Sequence, residues 1–123
     1  MKEGTLMESI LTSIKKLLGP SAEDTHFDPD IIMHINTVLM DLNQIGVGPE
    51  EGFAITDKSE TWDDFVPEAS LAKLEGIKSY IYLRVRLLFD PPTNSAVIES
   101  MNKQIDKLEW RINVAAESIE TDK

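Results

Sequence analysis

The side chains that could carry chemistry in this chain are two histidines and two pairs of neighbouring carboxylates. His26 and His34 are eight residues apart, without an H-E-x-x-H or comparable ligand spacing, so we expect each to face solvent or cap a helix. Glu50-Glu51 and Asp63-Asp64 are adjacent, and adjacent side chains point in different directions in helices and strands. The sequence therefore predicts no enzyme, no cofactor and no metal site.

Charge is distributed unevenly along the 123 residues, whose formal net charge at pH 7 is −10. Residues 21–69 carry twelve acids against one base, Lys58. Such a chain does not coat DNA by counterion release, and the acidic stretch serves either solubility or contact with a partner. Because there is no cysteine and no apolar run of membrane-spanning length, we expect one soluble, intracellular domain without disulfides or membrane contact.

The most informative stretch is an apolar run that ends before Asp90-Pro91-Pro92 and predicts a helix over 68–89. Its apolar residues fall on two sides at helical spacing, so we expect other helices to cover both sides. The main stripe, expected in the core, contains Leu71, Leu74, Ile77, Ile81, Val85 and Leu88, and the second patch contains Tyr80, Leu83 and Leu87.

The first predicted helix, 7–18, has a clear end and an ambiguous start. Gly19 can adopt the left-handed cap conformation, and Pro20 forbids continuation. Thr5 and Glu8 have the spacing of a capping box, although Met7 also fits as the native start of the chain. The apolar face that we expect in the core contains Leu6, Ile10, Leu11, Ile14, Leu17 and Leu18.

The second predicted helix, 29–45, has the best-defined boundaries. We expect Asp28 to cap the helix, Pro29 to occupy its first turn, and Phe27 to form a hydrophobic staple with Ile32. Gly46 marks its end. The apolar stripe continues through Ile35, Val38, Leu39, Leu42 and Ile45, which predicts one face packed on the core.

Periodicity is lost in residues 47–66, which we name the acidic loop. Trp62, Phe65 and Val66 have helical spacing and predict a short helical turn that pins the acidic loop to the core. A connection of this length is unusual in a small helical domain. The acidic loop is therefore either a contact surface or a plain connection.

A last helix, 95–117, is expected after a cap at Thr93, Asn94 or Ser95, with residues 118–123 frayed. Its heptad stripe indicates packing against a neighbouring helix, and Trp110 lies off the stripe, where it either covers the core or anchors an interface. The fold prediction is an all-α bundle of four main helices in one domain, 1–123, with the acidic loop between the second and third. The heptad stripe contains Ile98, Met101, Ile105, Leu108, Ile112, Ala115 and Ile119.

Five strings, in their order and spacing, resemble the head-to-tail connector, or adaptor, proteins of long-tailed phages and prophages. They are ESILTSIKKLLG, HFDPDIIMHIN, LNQIGVGP, VRLLFDPPTNSAV and LEWRINVAAE, and the resemblance covers about residues 7–117. It implies a structural protein of the virion neck, made in the host cytoplasm, without catalytic residues. It also implies a ring, commonly dodecameric, that lies beneath the portal protein and joins the capsid vertex to the stopper or tail-completion proteins around a DNA channel.

Two surfaces are expected to make the contacts of such a subunit. Because the chain has few bases, we expect Arg84 or Arg86 to pair with carboxylates of the acidic loop, in the same subunit or the next. The end of the last helix is expected to dock on the portal, the alternative being that Ile112 and Ala115 finish the subunit's own core. The carboxylates are Glu50, Glu51, Asp57, Asp63 and Asp64, and the docking residues are Trp110, Ile112, Ala115 and Ile119.

The acidic composition has two functional interpretations. In a ring, we expect a neutral or acidic channel, with the acidic loop facing the lumen or the tail, so that DNA passes without specific binding. In the alternative, the chain is a small inhibitor or DNA mimic whose carboxylates bind the basic site of a partner.

Overall fold

The computed structural model describes residues 6–19 and 24–121, with side chains up to residue 115. Its helices are α1 (Ile10–Leu18), α2 (Asp28–Gln44), the short α3 (Trp62–Phe65), α4 (Leu71–Phe89) and α5 (Ser95–Thr121). None of these helices is long and apolar enough to cross a membrane. Within the described ranges, β-structure is limited to an isolated antiparallel bridge between Ser9 and Thr61. The predicted all-α fold with four main helices is confirmed.

The central helix is α4, which packs against α1, α2 and α5. Both of its apolar sides are buried, as the sequence predicts. The prediction is wrong at the two ends, because Leu71 and Leu88 are 66% and 49% exposed. Both lie in terminal turns of α4, and helical periodicity assigns a residue to a face without showing that a neighbour covers it. The buried side chains of α4 are Leu74, Ile77, Tyr80, Ile81, Leu83 and Val85.

Helix α1 is shorter than predicted because Ser9 caps it. The Ser9 side chain accepts a hydrogen bond from the backbone N–H of Thr12, so the helix begins at Ile10. The capping residue proposed from the sequence, Thr5, lies outside the described residues. The predicted end is confirmed, since Gly19 has a φ of 112°. Leu17, expected in the core, is exposed.

Helix α2 begins at Asp28 itself, so the prediction that Asp28 is the cap is wrong. Its carboxylate instead binds Nζ of the buried Lys15 at 2.8 Å and ties the start of α2 to α1. The predicted end is confirmed: Gly46 has a φ of 92°, and the N–H of Val47 bonds back to the carbonyl of Leu42 at 2.9 Å. Such a left-handed residue with a backbone return bond is the Schellman ending of a helix.

Helix α5 packs along α4, and Asn94 provides its cap. The Asn94 side chain accepts hydrogen bonds from the N–H groups of Ala96 and Val97 at 2.8 and 3.3 Å. The helix continues to Thr121, beyond the predicted end, because no glycine or proline interrupts the sequence after residue 95. The expected frayed segment is thus helical up to that residue. The buried residues of the heptad stripe are Met101, Ile105 and Ile112.

Candidate interaction surfaces

The two histidines lie beside aromatic rings. The His26 ring packs edge-on to Phe27 with ring centroids 4.7 Å apart, and the half-buried His34 ring lies 6.5 Å from that of Phe89. Across residues 6–19 and 24–121, no group of three His, Asp or Glu side chains could hold a metal ion.

Two asparagines hold the acidic loop to α2. Asn36 pairs in both directions with the backbone of the buried Ile55, since its Nδ2 donates to the carbonyl at 3.0 Å and its Oδ1 accepts from the N–H at 2.8 Å. Asn43 donates from Nδ2 to the carbonyl of Pro49 at 2.9 Å. A side-chain amide offers both a donor and an acceptor, so Asn36 supplies the partners that a neighbouring strand would otherwise provide.

Helix α3 fastens the end of the acidic loop to α1. Thr61 and Asp64 form a capping box at its start. Trp62 is fully buried, and its indole Nε1 donates to the hydroxyl of Ser13 at 3.1 Å. The predicted helical turn that pins this segment is confirmed by three buried side chains, Trp62, Phe65 and Val66.

Gly48 allows the start of the acidic loop to pack closely on Phe65. Its φ is 87°, and a Cβ at this position would lie 2.4 Å from a ring carbon of Phe65. The Phe65 ring in turn packs against Phe53, with ring centroids 5.2 Å apart. The acidic loop is thus packed on the core at several points along its length.

The five loop carboxylates expected to make contacts have different environments. Asp57 accepts a hydrogen bond at 2.7 Å from the N–H of Ser59, and hydrogen bonds from the side chain and backbone of Ser59 lower the pKa of Asp57. Asp64 belongs to the capping box, and Asp63 is half-buried beside it. Glu50-Glu51 is exposed, and in the described part of the chain neither carboxylate enters a hydrogen bond or an ion pair. This pair is therefore the part of the loop that is available to a partner.

Glu60, which the sequence analysis did not single out, closes the turn that follows Ile55. Its carboxylate accepts hydrogen bonds from the N–H of Thr56 at 3.1 Å, the Thr56 hydroxyl at 2.8 Å and the N–H of Asp57 at 3.3 Å. Desolvation raises the pKa of Glu60, but these hydrogen bonds outweigh it and leave the pKa below its ordinary value. Turn residues were visible in the sequence, but nothing identified the carboxylate that closes the turn.

Arg84 joins three helices of its own subunit. Its guanidinium binds Asp41 of α2 at 2.8 Å and donates to the Tyr80 hydroxyl at 3.0 Å, while that hydroxyl donates to Glu109 of α5 at 3.2 Å. Desolvation lowers the pKa of Arg84, but the hydrogen bonds with Tyr80 and Asp41 outweigh it and raise the pKa overall. For Tyr80, burial is the main cause of a raised pKa. The partner of Arg84 is thus a carboxylate of α2 and not one of the acidic loop.

Arg86 also makes its contacts close to its own helix. Its Nη1 donates to the Tyr82 hydroxyl at 3.2 Å, and its Nε donates to the carbonyl of Asp90 at 2.9 Å. Neither arginine pairs with the acidic loop of the same subunit in the described residues, so that version of the prediction is corrected. Pairing with the acidic loop of a neighbouring subunit stays a prediction.

The end of α5 divides into a buried and an exposed side. Trp110 is 67% exposed and Val114 is exposed beside it, so Trp110 does not cover the subunit's own core. Ile112 is buried in the core, and Ala115 is half-buried. Ile112 therefore completes the subunit's own core, as the alternative to portal docking predicted, whereas Trp110 remains available to a partner. The side chain of Ile119 lies outside the described ones.

Fold and surfaces together define a small all-α protein with an anchored acidic loop and an exposed tryptophan on its last helix. A family model described as Phage connector protein matches residues 10–118, and the chain belongs to this family. Neither a curated protein nor a solved structure matches the chain significantly. Membership of the family gives the chain a structural connector role in a phage, and it favours this interpretation over the inhibitor or DNA mimic.

Proposed function

We propose that the protein is a subunit of a ring, commonly dodecameric in proteins that it resembles, which lies beneath the portal and connects the capsid vertex to the stopper or tail. The observation that supports a docking role most directly is the 67% exposure of Trp110 on a helix whose opposite side is buried against the core. Large aromatic side chains are frequent anchors of protein interfaces. In this proposal, Trp110, Ala115 and Ile119 contact the portal.

In this proposal, the acidic loop is the second contact surface of the subunit. Its backbone is tied to α1 and α2, so that Glu50-Glu51 is presented without ordering a flexible segment on assembly. A net charge of −10 disfavours adhesion to phosphates, so DNA passes through the channel of the ring without specific binding. Measurable binding of the isolated protein to duplex DNA at physiological salt would contradict this part of the proposal.

The docking contact is tested with Trp110→Ala and with deletion of residues 114–123. Purified portal-bearing heads that lack this protein are incubated with each variant, and the bound copies are counted by quantitative mass spectrometry. We expect Trp110→Ala to weaken attachment by at least about tenfold, because truncating a central aromatic anchor typically costs about 2 kcal/mol or more of binding free energy, and about 1.4 kcal/mol is tenfold. The deletion should abolish attachment and leave Ile112 and the helices before it folded.

Leu71→Ala is the matched control, because Leu71 is as exposed as Trp110 but lies on α4. This control should bind heads like the wild type. Equal attachment of Trp110→Ala and wild type would show that the tryptophan is not the anchor. Unfolding of the truncated protein, measured by circular dichroism, would instead assign residues 114–123 to the subunit's own core.

A further inference from the structure

A row of basic side chains on the outer face of α5 is not used by the contacts described above. Lys103, Lys107 and Arg111 are four residues apart, which places them along one side of the helix, and all three are exposed. Lys107 and Arg111 enter no ion pair with any described residue, and Lys103 reaches only the exposed Glu99, at 3.8 Å. These three residues are named the basic row, and they span roughly 12 Å of helix.

Several other cations of the described residues are engaged inside the subunit. Lys15 binds Asp28, and Arg84 binds Asp41, each at 2.8 Å. Lys78 lies near Glu8 and above the Trp62 ring. In a protein with a net charge of −10, the basic row thus provides three exposed bases that a partner can reach, on a helix that also carries acidic residues.

The complementary charge lies on the acidic loop and just after it. Glu50-Glu51 and Glu68 are exposed, and across residues 6–19 and 24–121 their carboxylates enter no hydrogen bond or ion pair. The acidic loop is fastened to α1 and α2, whereas α5 packs on α4. The two charged surfaces therefore lie on different elements of the fold.

Complementary patches at different places on one chain favour a head-to-tail contact between copies. A two-fold dimer pairs such patches only when both lie around its axis, whereas a head-to-tail contact repeats from copy to copy and closes into a ring when the rotation between copies allows it. We propose that the basic row of one copy binds the exposed carboxylates of the acidic loop of a second copy. This inference rests on the proposed ring and names its lateral contact, with α5 in place of Arg84 and Arg86 as the source of positive charge.

The physical chemistry of this contact predicts its salt dependence. Exposed ion pairs are individually weak and are screened by salt, so one contact is a poor dimer interface and association should fall as ionic strength rises. In a ring, every copy uses both surfaces, so many weak contacts act together.

The test reverses the charge of two residues in the basic row and compares the result with a matched control. Lys103→Glu/Lys107→Glu is the test variant, and Lys16→Glu/Lys73→Glu changes the net charge equally at lysines outside both the basic row and the acidic loop. Self-association is measured by sedimentation velocity at low and high sodium chloride, and copies bound per portal-bearing head are counted. We expect the test variant to lose roughly tenfold or more in association and the control to remain near wild type.

A charge swap makes the test specific. Adding Glu50→Lys/Glu51→Lys to the test variant should restore association, whereas Glu50→Lys/Glu51→Lys alone should lose it. Equal association of the test variant and wild type, or failure of the swap to restore it, overturns the inference and leaves the proposed function standing if wild type still attaches to heads.

The remaining outcomes separate the two proposals. If wild type does not attach to portal-bearing heads, the proposed function is wrong. If wild type also does not self-associate in solution, the inference is overturned as well. Binding of wild type to a DNA duplex that disappears in the test variant would assign the basic row to nucleic acid and overturn the inference.

Discussion

The acidic loop and α5 differ in regularity, and the irregular element is the more firmly anchored of the two. The loop has no repeating pattern, yet Asn36 and Asn43 of α2 bind its backbone, and its own Trp62 donates to Ser13 of α1. The 27-residue α5 packs mainly along α4, through one stripe. A helix satisfies its backbone N–H and C=O groups with hydrogen bonds inside the helix. A loop that covers a core needs hydrogen-bond partners from other elements for its buried backbone groups. Regular secondary structure is therefore a poor guide to where this molecule is most constrained.

The difference in anchoring leaves two ordered surfaces available for assembly. The anchored loop holds its exposed carboxylates in place, and the outer face of α5 remains open beside an apolar, exposed Trp110. Surfaces that are already ordered lose little conformational entropy on binding, so both can serve in a contact without prior folding.

The largest expected difference between the two regions is the cost of removing their tryptophans. Trp62→Ala should destabilise the protein by about 3 to 5 kcal/mol, because it leaves a large cavity and removes the indole hydrogen bond to Ser13. Trp110→Ala should change stability by less than about 0.5 kcal/mol, because its side chain is largely exposed. Urea unfolding followed by circular dichroism measures both values.

The phenylalanine variant at the first tryptophan separates packing from hydrogen bonding. Trp62→Phe keeps an aromatic ring but leaves the Ser13 hydroxyl without the indole donor, so its cost should fall between those of wild type and Trp62→Ala. Similar stability losses for Trp62→Ala and Trp110→Ala would show that the loop is not anchored through this residue.

Two glycines of the acidic loop provide the next comparison. Gly48 and Gly52 both have positive φ angles, of 87° and 100°, so alanine is strained at either site. Only at Gly48 does the added Cβ also meet a side chain, the Phe65 ring at 2.4 Å. Gly48→Ala should therefore cost about 2 to 4 kcal/mol and Gly52→Ala about 1 kcal/mol in thermal unfolding. Equal costs would mean that the close approach to Phe65 adds nothing to stability.

The fold was predictable where a local sequence pattern, such as helical spacing or a helix-ending glycine, determines the structure by itself. Helical spacing correctly predicted that Ile81 and Trp62 are buried, and Gly46 correctly predicted the end of α2. The same spacing failed at Leu71 and Leu88, because it describes one helix and contains no information about how far the neighbouring helices extend.

The contact surfaces were less predictable because they depend on tertiary distances. The charge imbalance led to a pairing of Arg84 with the acidic loop, but the fold places Asp41 of α2 within 2.8 Å of its guanidinium. Likewise, nothing near Asn36 in sequence indicates that it pairs with the backbone of Ile55. Residues whose partners lie far along the chain require the packed structure.

A smaller effect is expected for the asparagine that anchors the loop to α2. Asn36→Ala removes both hydrogen bonds to Ile55 and should cost about 1 to 3 kcal/mol, because the buried N–H and carbonyl lose their partners. Asn102→Ala is the control on the exposed face of α5, where the change should stay within about 0.5 kcal/mol. Chemical denaturation gives both values.

Asn36→Asp tests the donated and the accepted hydrogen bond of Asn36 separately. A carboxylate can still accept from the Ile55 N–H but cannot donate to its carbonyl, so this variant should also be destabilised at neutral pH. If aspartate matched the wild type, the donated bond would be irrelevant and the proposed two-way pairing would be wrong.

The smallest effect concerns the pH dependence of the acidic loop through Glu60. Because the hydrogen bonds from Thr56 and Asp57 lower the pKa of Glu60 in the folded state, its ionised form stabilises the fold. This contribution is complete above the ordinary pKa of 4.5 and is lost as the pH falls through the lower folded-state value. Since Glu60 is only half-buried and lies at the surface, solvent screening limits the contribution to roughly 0.5 kcal/mol. Glu60→Gln should therefore lose that amount at pH 7 and differ less from wild type near about pH 3, as measured by urea unfolding at both pH values. A penalty that is the same at both pH values, or larger in acid, would show that the turn is closed by hydrogen bonds that do not depend on the charge of Glu60.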